Sequence, residues 1–449
     1  MNARINPPIS AFKIFKALTN TGHKTYFVGG CIRDRLLGRE PHDWDISTSA
    51  LPMEVHAVAA AHNWPVYDTG IQHGTVTVNV DGDLYEVTTF RGDGEYSDGR
   101  HPDSVRFTTS FKEDVMRRDF TINALGWNPL EGVVDYVGGV EDLRKGLIRC
   151  VGDPRTRFRE DGLRVLRAVR FAIQLNFGIE RETQGAVFVD GRFYTAGVSM
   201  ERRRDELMKM LAFPNVSAYF TGRAGTIVEL IIPELCESFC FPQNNPHHYL
   251  SVWDHEVESM CSIQSRDPLM KLVMLMHDMA KPRCAMKGTD GFDHFYGHAE
   301  ESANMAKEAM TKLHFSNKEI EFVTTLIRLH DQQIEPTEKA VRKLVGKIGP
   351  DMFANLLLVK RADIDAQSEY HKVEKLRKLT RVRIIFKKIL SEQKACKLSD
   401  LTVNGSDILA LGFKPGPNVG IILNKLLDAV IEGKVENDKE SLINMVTQL

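Results

Sequence analysis

Two aspartates one residue apart, Asp43 and Asp45, constrain this chain more than any other feature. They lie in the stretch Phe27 to Ser49, just ahead of an apolar strand start at Ile46. In a strand, residues i and i+2 point to the same face. Both carboxylates therefore project together and repel unless a cation sits between them. Hard oxygen ligands of that kind suit Mg²⁺, which takes one or two carboxylates and completes its shell with water and substrate phosphate. Upstream, Phe27-Val28 reads as the end of a buried strand, and Gly29-Gly30 opens a helix carrying Arg33 and Asp34. Glycines at a helix start let backbone N–H groups approach a phosphate closely. A phosphate cradle and a carboxylate pair in one strand–helix–strand unit meet the needs of nucleotidyl transfer.

The 449 residues imply about two to four domains. Lys+Arg (58) and Asp+Glu (60) balance, so a nucleic-acid surface must be a local patch. The seven cysteines form no paired framework, which fits reduced thiols in a cytoplasmic protein. No apolar run approaches the length of about 18 residues that a membrane span needs. Residues 9–20 read as a helix capped near Ser10. Thr75–Val80 and Leu84–Phe90 alternate as a hairpin, with Glu86 on the face opposite Tyr85 and Val87. Glu86 is the candidate third carboxylate; an exposed strand glutamate is the alternative. Arg91–Thr109 is polar and aperiodic, a long loop. Glu113–Trp127 reads as a helix containing Arg117-Arg118-Asp119.

From about residue 146 helices take over, and six arginines lie between Arg155 and Arg170. Asp161 and Arg164 stand at i and i+3, a spacing that places them on one helix face. They form either a helical salt bridge or a base reader. As a reader, Asp161 accepts from the exocyclic amine of cytosine or adenine, and Arg164 donates to the adjacent ring acceptor. Uracil and guanine present a carbonyl where the amine should be, which leaves a buried mismatch.

GGxxRD followed by DxD resembles the polymerase-β-like nucleotidyltransferases, and within them the class II tRNA CCA-adding enzymes and bacterial poly(A) polymerases. Further segments carry the same likeness: the YxDxRHP core (Tyr96, Asp98, Arg100, His101, Pro102), RRDFTINAL, EDGLR, and Ser199 to Leu207. The resemblance implies an α+β chain. A polymerase-β-like nucleotidyltransferase α/β head (1–147) would precede an all-helical neck that binds the nucleobase (148–212), a body (213–360) and a tRNA-binding tail (361–449). It implies addition of CMP, CMP and AMP to the 3′ end of tRNA from CTP and ATP. Asp43, Asp45 and Glu86 would be catalytic, with Mg²⁺ on Asp43 and Asp45. Gly30, Arg33 and Arg118 would hold phosphates, while Asp161, Arg164, Arg167 and Arg170 would bind the nucleotide. The rivals are a poly(A) polymerase or A-adding partial enzyme with the same head, and an RNA phosphohydrolase.

That last rival comes from a second constellation. His255, His277-Asp278, His298 and His330-Asp331 lie in or at the ends of apolar helices. Imidazole and carboxylate together suit Zn²⁺, Mn²⁺, Ni²⁺ or Fe. The order resembles the HD phosphohydrolases, which implies His255, His277, Asp278 and Asp331 as metal ligands and His298 and His330 in reach of a second ion. In the tail, Lys372 to Lys388 is strongly basic, a candidate phosphate-tracking surface.

Overall fold

The computed structural model describes residues 5–92, 106–221, 226–392 and 395–447. They form two compact units, Met1–Ile231 and Ile232–Leu449. The first unit opens with α1 (Ile9–Asn20), β1 (Thr25–Val28), α2 (Gly30–Leu36), β2 (Asp45–Thr48) and α3 (Pro52–Ala61). Next come β3 (Val66–Gly70), β4 (Thr75–Val80), β5 (Asp83–Thr89), α4 (Phe111–Met116), β6 (Gly126–Asn128), β7 (Gly132–Val134) and α5 (Gly139–Lys145).

The seven strands make one mixed sheet in the order β3-β4-β5-β2-β1-β6-β7. β2 sits near its middle, antiparallel to β1 with Val28 opposite Asp45, and parallel to β5 with Ile46 opposite Val87. The two-residue period at β2 decides what faces the core. Trp44 and Ile46 are buried, and Trp44 packs edge-on against Phe27 with ring centroids 5.6 Å apart. Asp43 and Asp45 fall on the opposite side and stay exposed. The same alternation buries Tyr85 and Val87 and turns Glu86 outward. Helix α1 begins at Pro8 and not at Ser10, whose hydroxyl bonds Asp83 and Tyr85 instead.

The segment Glu113–Trp127 is not one helix. α4 stops at Met116, a 3₁₀ turn covers Thr121–Asn123, and Gly126 starts β6. Asp114, fully buried, gathers both Arg117 and Arg118 at 2.8 and 2.9 Å, which fixes the two side chains just where the helix ends. Downstream, the Thr121 N–H bonds the Arg149 carbonyl at 2.9 Å, so the backbone finds partners outside a helix.

The remainder of this unit is helical, apart from a two-residue parallel pair, β8 (Leu147–Ile148) with β9 (Gly178–Ile179). Its helices are α6 (Pro154–Glu160), α7 (Leu163–Leu175), α8 (Arg181–Phe188), α9 (Gly191–Thr195), α10 (Met200–Leu211), α11 (Val216–Phe220) and α12 (Thr226–Glu229). Val165, Leu166, Ala168, Val169, Ala172 and Ile173 of α7 are completely buried, which anchors that helix and leaves Arg164 and Arg167 on its other side. Asp161 and Arg164 do not share a helix face. The helix breaks at Asp161, whose backbone is extended (φ −146°, ψ 106°), and α7 starts only at Leu163. Gly162 permits the break because the chain passes hard against Tyr194: a Cβ at 162 would lie 1.9 Å from the Tyr194 carbonyl oxygen.

The second unit contains α13 (Val252–Ser262), α14 (Pro268–Met276), α15 (Lys281–Cys284), the hairpin β10 (Met286–Lys287) and β11 (Asp293–His294), α16 (His298–Lys312), α17 (Asn317–Leu329), α18 (Glu338–Ile348), α19 (Pro350–Asp365) and α20 (Lys372–Ser391). α21 (Gly405–Ala410), α22 (Pro417–Ile431) and α23 (Lys439–Val446) close it around a core of Leu401, Ile408, Leu426 and Leu442. Every residue from Met270 to Met276 of α14 is buried, so this helix is the unit's central rod. α19 runs unbroken through residue 360. Among the described residues no helix is long and apolar enough to cross a membrane.

Because backbone oxygen cannot yield to the added methyl, Gly162→Ala should destabilise the first unit by about 2 kcal/mol or more. Urea unfolding of the purified variant measures this. Unchanged stability would contradict the packing of Gly162 on Tyr194.

Candidate functional site

One cavity of about 650 Å³ in the first unit gathers Gly30, Arg33, Asp43, Asp45, Glu86, Arg118, Asp161, Arg164, Arg167 and Arg170. Residues singled out from four separate sequence segments thus line a single space. The sheet supplies its acidic wall, through Asp43 and Asp45 at β2 and Glu86 on the neighbouring β5. Crowding is visible in Asp45: one edge of the residue stays open to solvent, but the surrounding protein desolvates its carboxyl and pushes it up to about 6, with the charges of Glu86 and Asp43 adding to the effect and Arg118 opposing it. A carboxyl crowded by neighbouring carboxylates, as Asp45 is, is what a divalent cation relieves.

The basic wall is held by buried acids. Arg118 donates to Asp114 Oδ2 at 2.9 Å and to Ser47 Oγ at 3.2 Å. Burial alone would raise the Asp114 carboxyl, but Arg118 and Arg117 bring it down to about 2. Arg167 donates to Asp119 Oδ2 through Nε at 2.9 Å, and Asp119 likewise falls to about 2 against its burial. Arg33 is fixed by Asp34 and by Asn123 Oδ1 at 2.8 Å. The Phe171 ring serves three guanidinium groups, with Arg170 at 3.9 Å and Arg33 and Arg167 each at 5.3 Å from its centroid. Gly29, at φ +76°, starts α2 beneath this wall.

Asp161 and Arg164 both face the cavity, and the Arg164 N–H donates to the Asp161 carbonyl at 3.0 Å, but their side chains do not pair with each other. Arg202 of α10 clamps Asp161 with its two terminal nitrogens at 3.2 and 2.9 Å. Arg164 is held by Glu160 at 2.6 Å and donates to the Arg117 carbonyl at 3.1 Å. The expected salt bridge is therefore replaced by two pairs side by side. Arg202, Arg117, Asp119, Asn123 and Phe171 also line the cavity, and no reading of the sequence assigned them to it. Arg202 lies 41 residues from its partner, beyond the reach of local spacing. The YxDxRHP positions Tyr96, Asp98, Arg100, His101 and Pro102 lie outside the described residues. The base of that loop is closed by the Gly92 N–H donating to the Arg106 carbonyl at 2.9 Å.

The second unit holds a separate cluster at the meeting of α13, α14, α16, α17 and α19. His255, His277 and Asp278 form one buried donor group, and Asp278, His298 and His330 form another, with the ligand atoms of each within 4.8 Å of one another. Asp278 belongs to both through its two oxygens: His277 Nε2 lies 3.3 Å from Oδ2, and His298 Nε2 3.2 Å from Oδ1. Four ring nitrogens are turned away to backbone carbonyls, from His277 to Met274 (2.6 Å), His330 to Ile327 (2.6 Å), His298 to Phe295 (2.7 Å) and His255 to Ala366 (3.4 Å). That leaves Nε2 of each ring aimed inward, the arrangement of metal-ligating histidine. His277 Nε2 and Asp278 Oδ1 are buried yet make no hydrogen bond of acceptable geometry. Burial opposes ionisation of Asp278, but His277 and Lys281 hold its carboxyl well below the usual range. The donor set thus fits divalent metal.

Asp331 is not part of this cluster. It is exposed on the outer side of the turn after α17, at the rim of the cavity above. Its expected place is taken by Asp363 of α19, whose Oδ1 lies 3.0 Å from His255 Nε2 and 3.8 Å from His277 Nε2. Asp363 stands in an ordinary amphipathic helix with no neighbouring histidine, so nothing local marks it.

Residues 25–149 match the poly A polymerase head domain family, and residues 294–446 match the family described as tRNA nucleotidyltransferase domain 2. The CCA-adding enzyme of Lactobacillus helveticus is 31% identical over 440 residues, covering 97% of this chain and 95% of the relative. That of Lactiplantibacillus plantarum is 32% identical over 446 residues, with 97% and 95% covered. Among solved structures, the Bacillus stearothermophilus CCA-adding enzyme in complex with CTP aligns over 99% of this chain and 98% of its own, with a TM-score of 0.70 and 28% identity. The Thermotoga maritima CCA-adding enzyme complexed with tRNA shares the fold at a TM-score of 0.62 and 20% identity. The chain belongs to the CCA-adding enzyme family, with a poly A polymerase head domain.

Proposed function

We infer that this protein adds CMP, CMP and AMP in turn to the 3′ end of tRNA, using CTP and ATP and releasing pyrophosphate. The observation that carries the reading is the single cavity joining three sheet carboxylates to the arginines of the neck, in a chain of this family. The tRNA 3′-hydroxyl attacks the α-phosphorus of the nucleotide, and the bond to pyrophosphate breaks. Asp43 and Asp45, with Glu86 beside them, hold Mg²⁺. Mg²⁺ held by these carboxylates would supply a lowered pKa at the attacking hydroxyl and charge neutralisation at the leaving pyrophosphate. The backbone at Gly30 and the guanidinium groups of Arg33 and Arg118 orient the triphosphate. Asp161 accepts from the base amine with the lone pairs Arg202 leaves open, and Arg164 donates to the ring nitrogen. Arg167 and Arg170 flank base and phosphates.

The proposed assignment of work is to a head (1–147), neck (148–212), body (213–360) and tail (361–449), with α19 continuing across the boundary between body and tail. Arg377, Arg381, Arg383 and Lys387 are exposed along α20, which suits a surface following the phosphates of a folded RNA. A tRNA substrate and reduced thiols support a cytoplasmic location.

Incubating the protein with tRNAs that end at the discriminator base, C or CC, and one labelled nucleotide at a time should give C, C and A addition respectively. Incorporation of ATP alone on every primer would make it an A-adding enzyme and overturn the reading. Asp45→Asn should lower kcat/KM by about a thousandfold, the equivalent of the several kcal/mol a metal supplies. A carboxyl that holds its proton more tightly in the fold stabilises at low pH, and that contribution is lost as the pH rises through about 6. Asp45→Asn should therefore raise the Tm of metal-free protein at pH 7.5, with the gain vanishing towards pH 4. Near-normal turnover in this variant would overturn the metal assignment.

The second unit supports a further activity, hydrolysis of phosphate esters that would block a tRNA 3′ end. His255, His277, Asp278 and Asp363 would hold one transition metal (Ni, Mn, Zn or Fe), and Asp278, His298 and His330 a second. The supporting observation is one buried carboxylate shared by two donor groups. Metal analysis should find bound transition metal that is lost in His277→Ala while CCA addition survives. Protein that takes up no metal after supplementation, and hydrolyses no phosphate ester, would show the cluster to be scaffold.

A further inference from the structure

In the first unit, α6 and α9 carry a surface patch that the transfer chemistry leaves unused. The Phe158 side chain of α6 faces inward and packs against the Tyr194 ring of α9, with centroids 5.9 Å apart. Arg155 and Arg159, one turn apart, are exposed on the same helix. Arg155 reaches Asp190, just ahead of α9, with Nε 3.3 Å from Oδ2, which ties the two helices at one edge. Arg159 and Arg192 are exposed as well, and neither guanidinium has a hydrogen-bond or ion-pair partner among the described residues. Next to Arg192 stands Phe193, which is 75% exposed, and Val189, at the corner between α8 and α9, is 80% exposed. The Phe193 ring is nonetheless braced, edge-on to the buried Tyr194 ring with centroids 5.5 Å apart.

One exposed apolar side chain is ordinary on a protein surface. A braced, open ring beside arginines that lack acidic partners asks for a ligand that is both flat and anionic. Single-stranded RNA is such a ligand, with a base for the ring and a phosphate for each guanidinium group. An acidic peptide would satisfy the arginines and leave the ring unmatched. The patch also adjoins the base reader, because α9 is the helix that Gly162, next to Asp161, packs against through the Tyr194 carbonyl. A 3′ end that is extended without a template has no partner strand, so its unpaired bases need another surface to hold them. We propose that Phe193 is a positioning residue, the platform on which an unpaired base near the tRNA 3′ end stacks, while Arg159 and Arg192 hold the neighbouring phosphates. The identity of the RNA as tRNA rests on the transferase reading; its single-stranded character rests on the ring and the two unpaired arginines.

The test uses full-length protein without nucleotide, and a tRNA that ends at the discriminator base with 2-aminopurine in that position. Stacking quenches the fluorescence of this probe, so binding to the wild type should quench it. Phe193→Ala should lose the quenching and about tenfold in affinity, and Phe193→Tyr should keep both. In single C addition, Phe193→Ala should raise KM for tRNA about tenfold and leave kcat and KM for CTP unchanged, a split that a damaged fold would not give. Replacing Arg159 and Arg192 together by Ala should weaken binding and flatten its dependence on salt by about one logarithmic unit per arginine. Phe193 is mostly exposed, so the Tm of Phe193→Ala should match that of the wild type. Affinity, quenching and KM for tRNA unaltered in Phe193→Ala would overturn the platform. Unaltered RNA binding with a loss of self-association in sedimentation would also overturn it and give the patch to a second copy of the chain. Wild-type protein that quenches the probe but incorporates only ATP keeps the platform and overturns the transferase reading; normal C, C and A addition with no quenching keeps that reading and overturns the platform.

Discussion

Two buried aspartates, Asp114 and Asp119, make the cavity proposed for nucleotidyl transfer possible. The cavity needs arginines facing a triphosphate, and unpaired guanidinium groups repel one another. Asp114 takes Arg117 and Arg118 from the turn that ends its own short helix, while Asp119 takes Arg167 from α7, 48 residues away. Both acids stay ionised despite burial because of those partners. Removing one side of such a buried pair typically costs about 3–5 kcal/mol, since it leaves the other charge without compensation. The same pairs fix where each fork points. The arginine wall is therefore set before substrate arrives, which is what electrostatic preorganisation demands.

How much of this was legible in the sequence depended on the range of the interaction. Asp43, Asp45 and Glu86 were readable because a strand alternates with period two, and the sheet register then brought β2 and β5 together. Gly29 and Gly30 were readable because glycines at a helix start leave the backbone N–H groups open to close approach, and in the structure Gly29 also takes a positive φ of +76°. Asp161 and Arg164 were found as residues but mispaired, because helical spacing was assumed across Gly162, where the chain is bent against Tyr194. Their true partners are Arg202 and Glu160, one distant and one adjacent. The helix expected over Glu113–Trp127 failed for a related reason. Its apolar residues Val115, Phe120, Ile122, Ala124 and Leu125 do enter the core, but from a short helix, a 3₁₀ turn and the irregular chain beside it, while Met116 stays exposed.

In the second unit, histidine–aspartate doublets marked the cluster correctly as far as Asp278, and the doublet rule then misled at Asp331. What selects a ligand is the direction in which the backbone presents it. Asp278 follows an all-round buried helix and points to the centre; Asp331 follows a helix with one wet face and points out. Asp363 reaches the cluster from the middle of the chain's packing, with no sequence sign. The pairing of four histidine Nδ1 atoms with backbone carbonyls is equally invisible in sequence, yet it sets which nitrogen is offered to metal.

The central claim is that base choice lies in the polarity of Asp161 and Arg164, held in place by Arg202 and Glu160. Single-nucleotide incorporation of CTP, ATP, UTP and GTP by Asp161→Ala on a tRNA primer, with kcat/KM compared as free energies, tests it most directly. Losing the acceptor opposite the exocyclic amine also removes the clash with the uracil carbonyl. Discrimination against UTP should then fall by about 1–3 kcal/mol, the penalty of an unpaired buried polar group, while total activity drops. If all four nucleotides slowed by the same factor, Asp161 would be a structural partner of Arg202 and the base would be read elsewhere.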